Sequence, residues 1–167
     1  MLQGVALIDK PLGVSSHHVV ARARKALGTK KIGHAGTLDP AATGLLVLGV
    51  GAGTRLLTYL VGLDKTYHAT MRLGYATTTD DAEGERLDGD YGDVSLLTPE
   101  AIEATLVRFR GRISQVPSTF SAIKVAGKRA YDLARAGEDV ELASREVTIS
   151  RLVMGRTHRV LAIVTWN

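Results

Sequence analysis

The segment from Gly33 to Gly44, GHAGTLDPAATG, displays a single carboxylate, that of Asp39, within a run of small and turn-forming residues. His34 stands five residues before this carboxylate, and Pro40 follows it directly. A carboxylate held in an exposed turn can serve as a nucleophile or as a general acid or base. The simpler interpretation is a helix cap, because Asp followed by Pro is typical of the Ncap and N1 positions. Taken by itself, the segment leaves both interpretations open.

A second candidate site is the glycine-rich stretch LGVGAGTRLL, which follows a predicted strand and precedes a predicted helix. Glycines at that place can cradle a phosphate. However, Thr54 stands where the dinucleotide-binding fingerprint needs its third glycine, and no Gly-Lys-Ser/Thr follows as a Walker loop requires. Nucleotide binding is therefore a minor alternative.

Paired carboxylates and metal ligands are the remaining chemistries. Asp64, Asp80 and Asp81 could pair with Asp39, but the sequence gives no distance between them. The chain has no cysteine, which excludes disulfides, thiolate nucleophiles and cysteine metal sites. Its five histidines show no zinc-binding spacing. We therefore expect no metal site.

Composition and charge narrow the class of protein. The 167 residues suffice for one well-buried domain, and no apolar run reaches the roughly 18 residues that span a bilayer. The first residues show no signal peptide, so we expect a cytoplasmic protein. The net charge is +4, with a sequence pI near 9.5.

The cations are concentrated in two stretches, which is the electrostatic footprint of nucleic-acid binding or, more simply, of solvated faces. The first stretch contains no acid and comprises Arg22, Arg24, Lys25, Lys30 and Lys31; the second comprises Lys124, Lys128, Arg129 and Arg135. Between them, positions 80–93 carry seven acids against one cation, Arg86, and are predicted to form a long loop.

Strand and helix patterns are interleaved without an even βα alternation, which favours an α+β fold with a mixed, mostly antiparallel sheet flanked by helices. Strands are predicted at 4–10, 45–50, 65–75 and in two final runs joined by a turn at 155–157. Helices are predicted at 17–27, after the glycines at 51–53, from Thr98 to Gly111 and at 129–135. For the first of these helices, Ser15 and Ser16 are both good N-caps and Gly28 is the expected end. The GHAGTLDPAATG segment is predicted to be a loop, and Ile102, Leu106 and Phe109 to face the core.

Five segments, in this order along the chain, resemble successive motifs of the TruB family of bacterial tRNA pseudouridine-55 synthases. They are LIDKPLGVSSHHVV (7–20), KIGHAGTLDPAATGLLVL (31–48), GTRLLTYL (53–60), DKTYHATMRLGYATTTDDAEG (64–84) and VPSTFSAIKVAGKRAYDLARAG (116–137). The second is highly specific for this family and its guide-RNA-dependent relatives. The resemblance implies a pseudouridine synthase fold in which 1–167 is a catalytic domain and about 116–141 form a thumb-like RNA-binding insertion.

The resemblance also implies the activity, which is isomerisation of uridine to pseudouridine in the T arm of tRNA, at position 55. In the family the aspartate that matches Asp39 is catalytic, although attack at C1′, attack at C6 and support of a glycal intermediate stay open. By the same resemblance, Tyr67 stacks on the flipped base and His34 fills the space that the base vacates. The reaction needs no cofactor and no metal.

Further residues receive expected roles from the resemblance and from charge. We expect contacts with the RNA backbone from Arg22, Lys25, Lys30, Lys31, Arg55, Lys124, Lys128 and Arg129. We expect structural support of the site from Lys10, Pro11, Gly33, Gly36, Pro40 and Gly44. The expected partner is the T-arm stem-loop of tRNA, with no membrane and no metal, and the expected state is a monomer.

One departure from the family pattern concerns the end of the sequence. In the family a G-T-Y-I-R strand follows, whose arginine pairs with the catalytic aspartate, and a small RNA-binding domain comes after it. GRTHR at 155–159 does not match that strand. We therefore expect a catalytic domain that is incomplete at its C-terminus, with little activity. The alternative class is a non-catalytic RNA-binding or RNA-chaperone module in which Asp39 is only a cap.

Overall fold

The computed structural model describes residues 2–119, 124–125, 128–129, 142–155 and 159–166; for 124–125, 128–129 and 159–166 it describes the backbone alone. The chain divides into two compact units, Met1–Leu63 and Asp64–Asn167. Each unit has its own antiparallel sheet. In the described part of the chain no helix is long and apolar enough to cross a membrane.

The first unit is a three-stranded sheet covered by one long helix. Its elements are β1 (Gly4–Lys10), α1 (Ser16–Leu27), β2 (Ile32–Ala35), β3 (Gly44–Val50), a 3₁₀ turn (Gly51–Leu56) and α2 (Leu57–Val61). The strand order is β1-β3-β2, with both pairings antiparallel. The sheet thus places the last strand in sequence between the two earlier ones.

Helix α1 confirms the sequence signals that predicted it. Ser15 is the N-cap, and its hydroxyl accepts a hydrogen bond from the His18 amide. Gly28 ends the helix with φ of +61°, a left-handed conformation that glycine adopts without strain. The helix buries Val20 against Ile32, Leu46, Leu48 and Val50, which form the core of the unit.

The glycine-rich stretch after β3 is explained by close packing. A Cβ on Gly49 would lie 2.8 Å from the Gly53 carbonyl oxygen, and a Cβ on Gly53 would overlap the Gly4 carbonyl. Gly51 has φ of +58°. These glycines let the 3₁₀ turn pack directly on β1, so the packing accounts for them without a phosphate.

The second unit has a four-stranded antiparallel sheet of order β4-β9-β8-β5. Its elements are β4 (Lys65–Thr70), a 3₁₀ turn (Val94–Leu96), α3 (Pro99–Val107), β5 (Gly111–Gln115), the β6–β7 pair (Lys124–Val125 and Lys128–Arg129), β8 (Arg145–Met154) and β9 (Arg159–Trp166). The two long final strands were predicted from the sequence. The strand predicted at 65–75 is shorter and stops at Thr70, where its pairing with β9 reaches Arg159, the first residue of β9.

Helix α3 begins as predicted, with Thr98 as N-cap and Pro99 in its first turn. The hydrogen bonds of its own amide and of Thr98 hold the pKa of the exposed Glu100 carboxyl below its usual value. The predicted end at Gly111 is wrong, because the helix stops at Val107 and Gly111 opens β5 with φ of +80°. Past that end, Phe109 is 49% exposed and so is not a core residue.

The acidic loop is a hydrogen-bonded hairpin. The Thr78 amide donates to the Glu85 carbonyl at 2.9 Å, and the Leu87 amide donates to the Ala76 carbonyl at 3.0 Å. Inside the loop, Asp81 accepts hydrogen bonds from the Thr79 hydroxyl and from the amide of residue 83. Residues 130–135 of the predicted helix, residues 156–157 of the turn predicted at 155–157 and most of the thumb-like segment lie outside the described residues.

Candidate active site

Asp39 lies on an exposed turn between β2 and β3. The Ala42 amide donates to the Asp39 carbonyl at 3.0 Å, which closes a four-residue turn with Pro40 in its second position. Asp in the first position and Pro in the second are the residues that such turns favour. No helix begins here, so the helix-cap interpretation is wrong. Among the described residues, none donates a hydrogen bond to the Asp39 carboxylate.

The residue before Asp39 is fixed by a buried serine. The Ser16 hydroxyl donates to the Leu38 carbonyl at 3.0 Å and accepts from the Leu38 amide at 2.9 Å. Ser16 is 1% exposed, and Leu38 packs against the core that α1 covers. The backbone that enters the Asp39 turn is therefore held to the first turn of α1.

The residue after Asp39 is fixed from the loop that follows β1. The Gly13 amide donates to the Pro40 carbonyl at 2.8 Å. That loop is folded around Lys10, whose ammonium donates to the carbonyls of Pro11 at 3.1 Å and Val14 at 2.8 Å. Lys10 is fully buried, at 0% exposed. Lys10 and Pro11 therefore belong to the scaffold of the Asp39 turn.

His34 lies on β2, in a segment predicted to be a loop. Pairing with β3 makes this stretch a strand, with His34 opposite Leu48. The imidazole Nδ1 lies 2.6 Å from the Gly36 carbonyl oxygen, so Nδ1 carries the proton and donates it. The His17 ring meets the His34 ring edge-on, with centroids 5.4 Å apart. His34 is thus oriented from two sides.

At three positions of the GHAGTLDPAATG segment the structure explains why the residue is glycine. A Cβ on Gly33 would lie 3.3 Å from the Leu57 methyl, so α2 can pack closely over β2. Gly36 and Gly44 have φ of +80° and +116°, which L side chains rarely adopt. The chain can therefore leave β2 and enter β3 around an ordered, compact turn.

Tyr67 lies in the second unit, on β4, opposite Ala162 of β9. Its side chain is 39% exposed, so the ring offers a face to solvent. Asp39 and His34 thus both belong to the first unit, on β2 and on the turn that follows it. Tyr67 belongs to the edge strand of the sheet in the second unit.

Cations lie on α1, on the segment that follows it and on the 3₁₀ turn of the first unit. Those predicted to contact RNA are all exposed: Arg22, Lys25, Lys30, Lys31 and Arg55. Arg24 differs, because its guanidinium donates to the Ile32 carbonyl at 2.8 Å and ties α1 to β2. Lys124, Lys128 and Arg129 lie on the β6–β7 pair, where the backbone alone is described. Within the described residues, no group of three or more histidines or acids could hold a metal ion.

The sequence patterns did not predict the hydrogen bonds by which Ser16 and Gly13 hold the Asp39 turn. The sequence predicts Ser16 only as one of two possible caps of α1. Both contacts join segments more than twenty residues apart, so no local pattern announces them. The one available signal was the pair of adjacent serines, since a helix needs only one N-cap hydroxyl.

Comparisons with known proteins agree on one family. Residues 24–164 match the family described as TruB family pseudouridylate synthase (N terminal domain). The tRNA pseudouridine synthase B of Arthrobacter sp. (strain FB24) is 57% identical over 151 residues, covering 90% of this chain and 49% of that protein. The protein of the same name from Rhodococcus jostii (strain RHA1) is 58% identical over 148 residues, covering 89% and 48%. The chain spans about half the length of these curated relatives.

Solved structures show the same fold. The chain resembles one in the crystal structure of a Cbf5-Nop10-Gar1 complex, with a TM-score of 0.66, 27% identity, and coverage of 98% of this chain and 40% of that one. A chain of an H/ACA RNP bound to a substrate RNA has a TM-score of 0.64 at 24% identity, covering 97% and 38%, which concerns the fold alone. The predicted α+β fold is confirmed, and the chain belongs to the TruB family of pseudouridylate synthases.

Proposed function

We propose that this chain is the catalytic part of a tRNA pseudouridine synthase that acts on uridine 55 in the T arm. The observation that carries the proposal is the Asp39 turn, an exposed carboxylate held on both sides by backbone hydrogen bonds, in a chain 57% identical to a tRNA pseudouridine synthase B. A rigid display of one carboxylate suits a group that must meet a substrate atom in one geometry.

The reaction breaks the N1–C1′ bond of uridine and forms a C5–C1′ bond. C5 loses its hydrogen to water and N1 gains a proton, so the overall change is redox-neutral. Asp39 supplies the carboxylate that attacks or stabilises the sugar or the base, a role that carboxylates fill in glycosidic chemistry. Asp39 is exposed, so its carboxylate can reach a substrate.

Base flipping is required, because the target atoms are out of reach inside a folded loop. The half-exposed ring of Tyr67 would stack on the flipped base, an interaction worth about 1–3 kcal/mol per base. His34, oriented by Gly36 and His17, would fill the vacated space in the RNA. The exposed cations around α1 would hold the phosphate backbone, and the shape of the T arm would supply selectivity.

The test is tritium release from a T-arm stem-loop carrying C5-tritiated uridine. We would compare this chain with a form extended to the length of its curated relatives, each with and without Asp39→Asn. We expect release by the extended form, little by this chain, and a loss of at least about 10²-fold with Asp39→Asn, the lower end of what a positioned acid–base group contributes.

Asn keeps the size of the side chain, so folding and RNA binding should survive the substitution. Thermal melting and a binding titration with the same stem-loop check both points. RNA binding without tritium release from either wild-type form would overturn the proposal and favour a non-catalytic RNA-binding module. Equal turnover by this chain and the extended form would contradict the expectation that this chain has little activity.

A further inference from the structure

We infer that Ser16 is a positioning residue for Asp39, acting through the backbone of Leu38. Its role in turnover rests on the proposed function; its effect on the Asp39 backbone does not. Ser16 opens α1, the helix that covers the core of the first unit, and its hydroxyl lies at 1% exposure. From there it contacts the residue that directly precedes Asp39.

The contact between Ser16 and Leu38 consists of two hydrogen bonds that run in opposite directions. One hydroxyl both donates to the Leu38 carbonyl at 3.0 Å and accepts from the Leu38 amide at 2.9 Å. Two hydrogen bonds from one atom to both polar groups of a single residue fix the orientation of that residue as well as its distance. Helix α1 packs on the sheet through Val20, so the serine itself is held by a rigid element.

A cap on the helix does not explain this hydroxyl. The N-cap is Ser15, whose side chain accepts from the His18 amide at 3.2 Å. Within the described part of the chain Ser16 makes no such bond to its own helix, and both hydrogen bonds of its hydroxyl go to Leu38, 22 residues along the chain. The two adjacent serines therefore have separate tasks: Ser15 caps the start of the helix, and Ser16 holds the Asp39 turn.

The position of Asp39 depends on this contact because little else fixes the entry to the turn. On the exit side the Gly13 amide holds the Pro40 carbonyl. Without Ser16 the entry side would keep, among the contacts of the described residues, the packing of the half-buried Leu38 side chain against the core. Displacements of about 1 Å in a reacting group can cost 10²-fold in rate, so loosening one side of the turn is sufficient to slow the reaction.

The test compares Ser16→Ala with Ser15→Ala. Both remove one hydroxyl from the same end of α1, but only Ser16→Ala frees Leu38. The first readout is hydrogen exchange and backbone NMR relaxation of this chain, which needs no turnover. We expect exchange of the Leu38 amide to rise at least tenfold and Asp39 to become mobile in Ser16→Ala only. An Asp39 backbone as rigid as in the wild type would overturn the inference.

The second readout is single-turnover tritium release at saturating stem-loop RNA, in the form of the protein that turns over. The amplitude reports the folded fraction, whereas the rate constant reports the geometry of the site. We expect Ser16→Ala to lower the rate constant about tenfold or more with little change in RNA affinity, and Ser15→Ala to leave it unchanged. An unchanged rate constant in Ser16→Ala would overturn the inference. Absence of turnover in the wild type would instead count against the proposed function, while the mobility of Asp39 still decides the role of Ser16.

Discussion

At the scale of single residues, the first unit uses buried polar atoms to shape backbone rather than to pair charges. Lys10 is fully buried, and its ammonium bonds two carbonyls of its own loop. Ser16 is nearly as buried and bonds both polar groups of Leu38. Lys10 bonds the loop after β1, whose Gly13 amide donates to Pro40, and Ser16 bonds the residue that precedes Asp39. The polar atoms of the core thus serve the geometry of an exposed turn.

Replacing Lys10 by Met tests this use of a buried charge. Met keeps most of the volume, but the carbonyls of the exposed Pro11 and the half-buried Val14 lose their donor, and leaving a buried polar group unsatisfied costs about 1–3 kcal/mol. We expect the free energy of unfolding to fall by about 2 kcal/mol, measured by urea denaturation. The exposed Lys30→Met is the control and should change it by less than about 0.5 kcal/mol. A higher denaturation midpoint for Lys10→Met would contradict the expectation.

At the scale of elements, the two loops that hold the site depend on close backbone packing. The 3₁₀ turn after β3 approaches β1 so closely that the Gly4 carbonyl occupies the place of a Cβ on Gly53. β1 leads directly into the Lys10 loop, which donates to Pro40 through Gly13. Glycines far from Asp39 therefore support its turn.

Gly53→Ala should accordingly destabilise the fold. The added methyl group must displace β1 or the turn, and such overpacking typically costs about 1–3 kcal/mol. Gly62→Ala is a matched control, because its φ is −83° and nothing lies within 4 Å of its Cβ. We expect a lower melting temperature for Gly53→Ala and no decrease for Gly62→Ala. Equal melting temperatures would show that the turn can shift without cost.

Sequence patterns predicted elements better than they predicted contacts. Alternating and continuous apolar runs identified β1 and β3, and the serine and glycine signals bounded α1, because each of these signals is local. Strand β2 was not predicted, because Gly33 and Ala35 are poor strand formers. Its extended conformation depends on pairing with β3, which a local pattern does not show. The hydrogen bonds between Ser16 and Leu38 were not predicted either, because they join segments that are distant in the sequence.

At the scale of the whole molecule, charge is distributed unevenly along the chain. Cations without acids occupy 22–31, whereas acids dominate 80–93. The ion pairs Arg110–Glu103 and Arg112–Glu146 both belong to the second unit. The exposed cations around α1 are thus available to a polyanion.

Salt dependence of RNA binding tests this availability. Each phosphate contact steepens the dependence of log affinity on log salt by about 0.7–0.9. We expect the double variant Lys30→Gln/Lys31→Gln to weaken binding of a T-arm stem-loop and to reduce that slope by about 1–2. Arg108→Gln/Arg151→Gln, which removes the same charge from the second unit, is the control. An equal loss in both variants would mean that net charge, and not the α1 surface, governs binding.

The order of strands in the first sheet has a consequence for biosynthesis. β3 lies between β1 and β2 and is their only partner there, so neither of the earlier strands can complete its native pairing until residues 44–50 have been made. The Asp39 turn leads directly into β3, so its exit is anchored at the same moment as the sheet. A ribosome-bound chain that stops before Val50 therefore already contains every residue of the Asp39 turn, but its sheet is incomplete. Addition of β3 completes the sheet and fixes the turn in the same step.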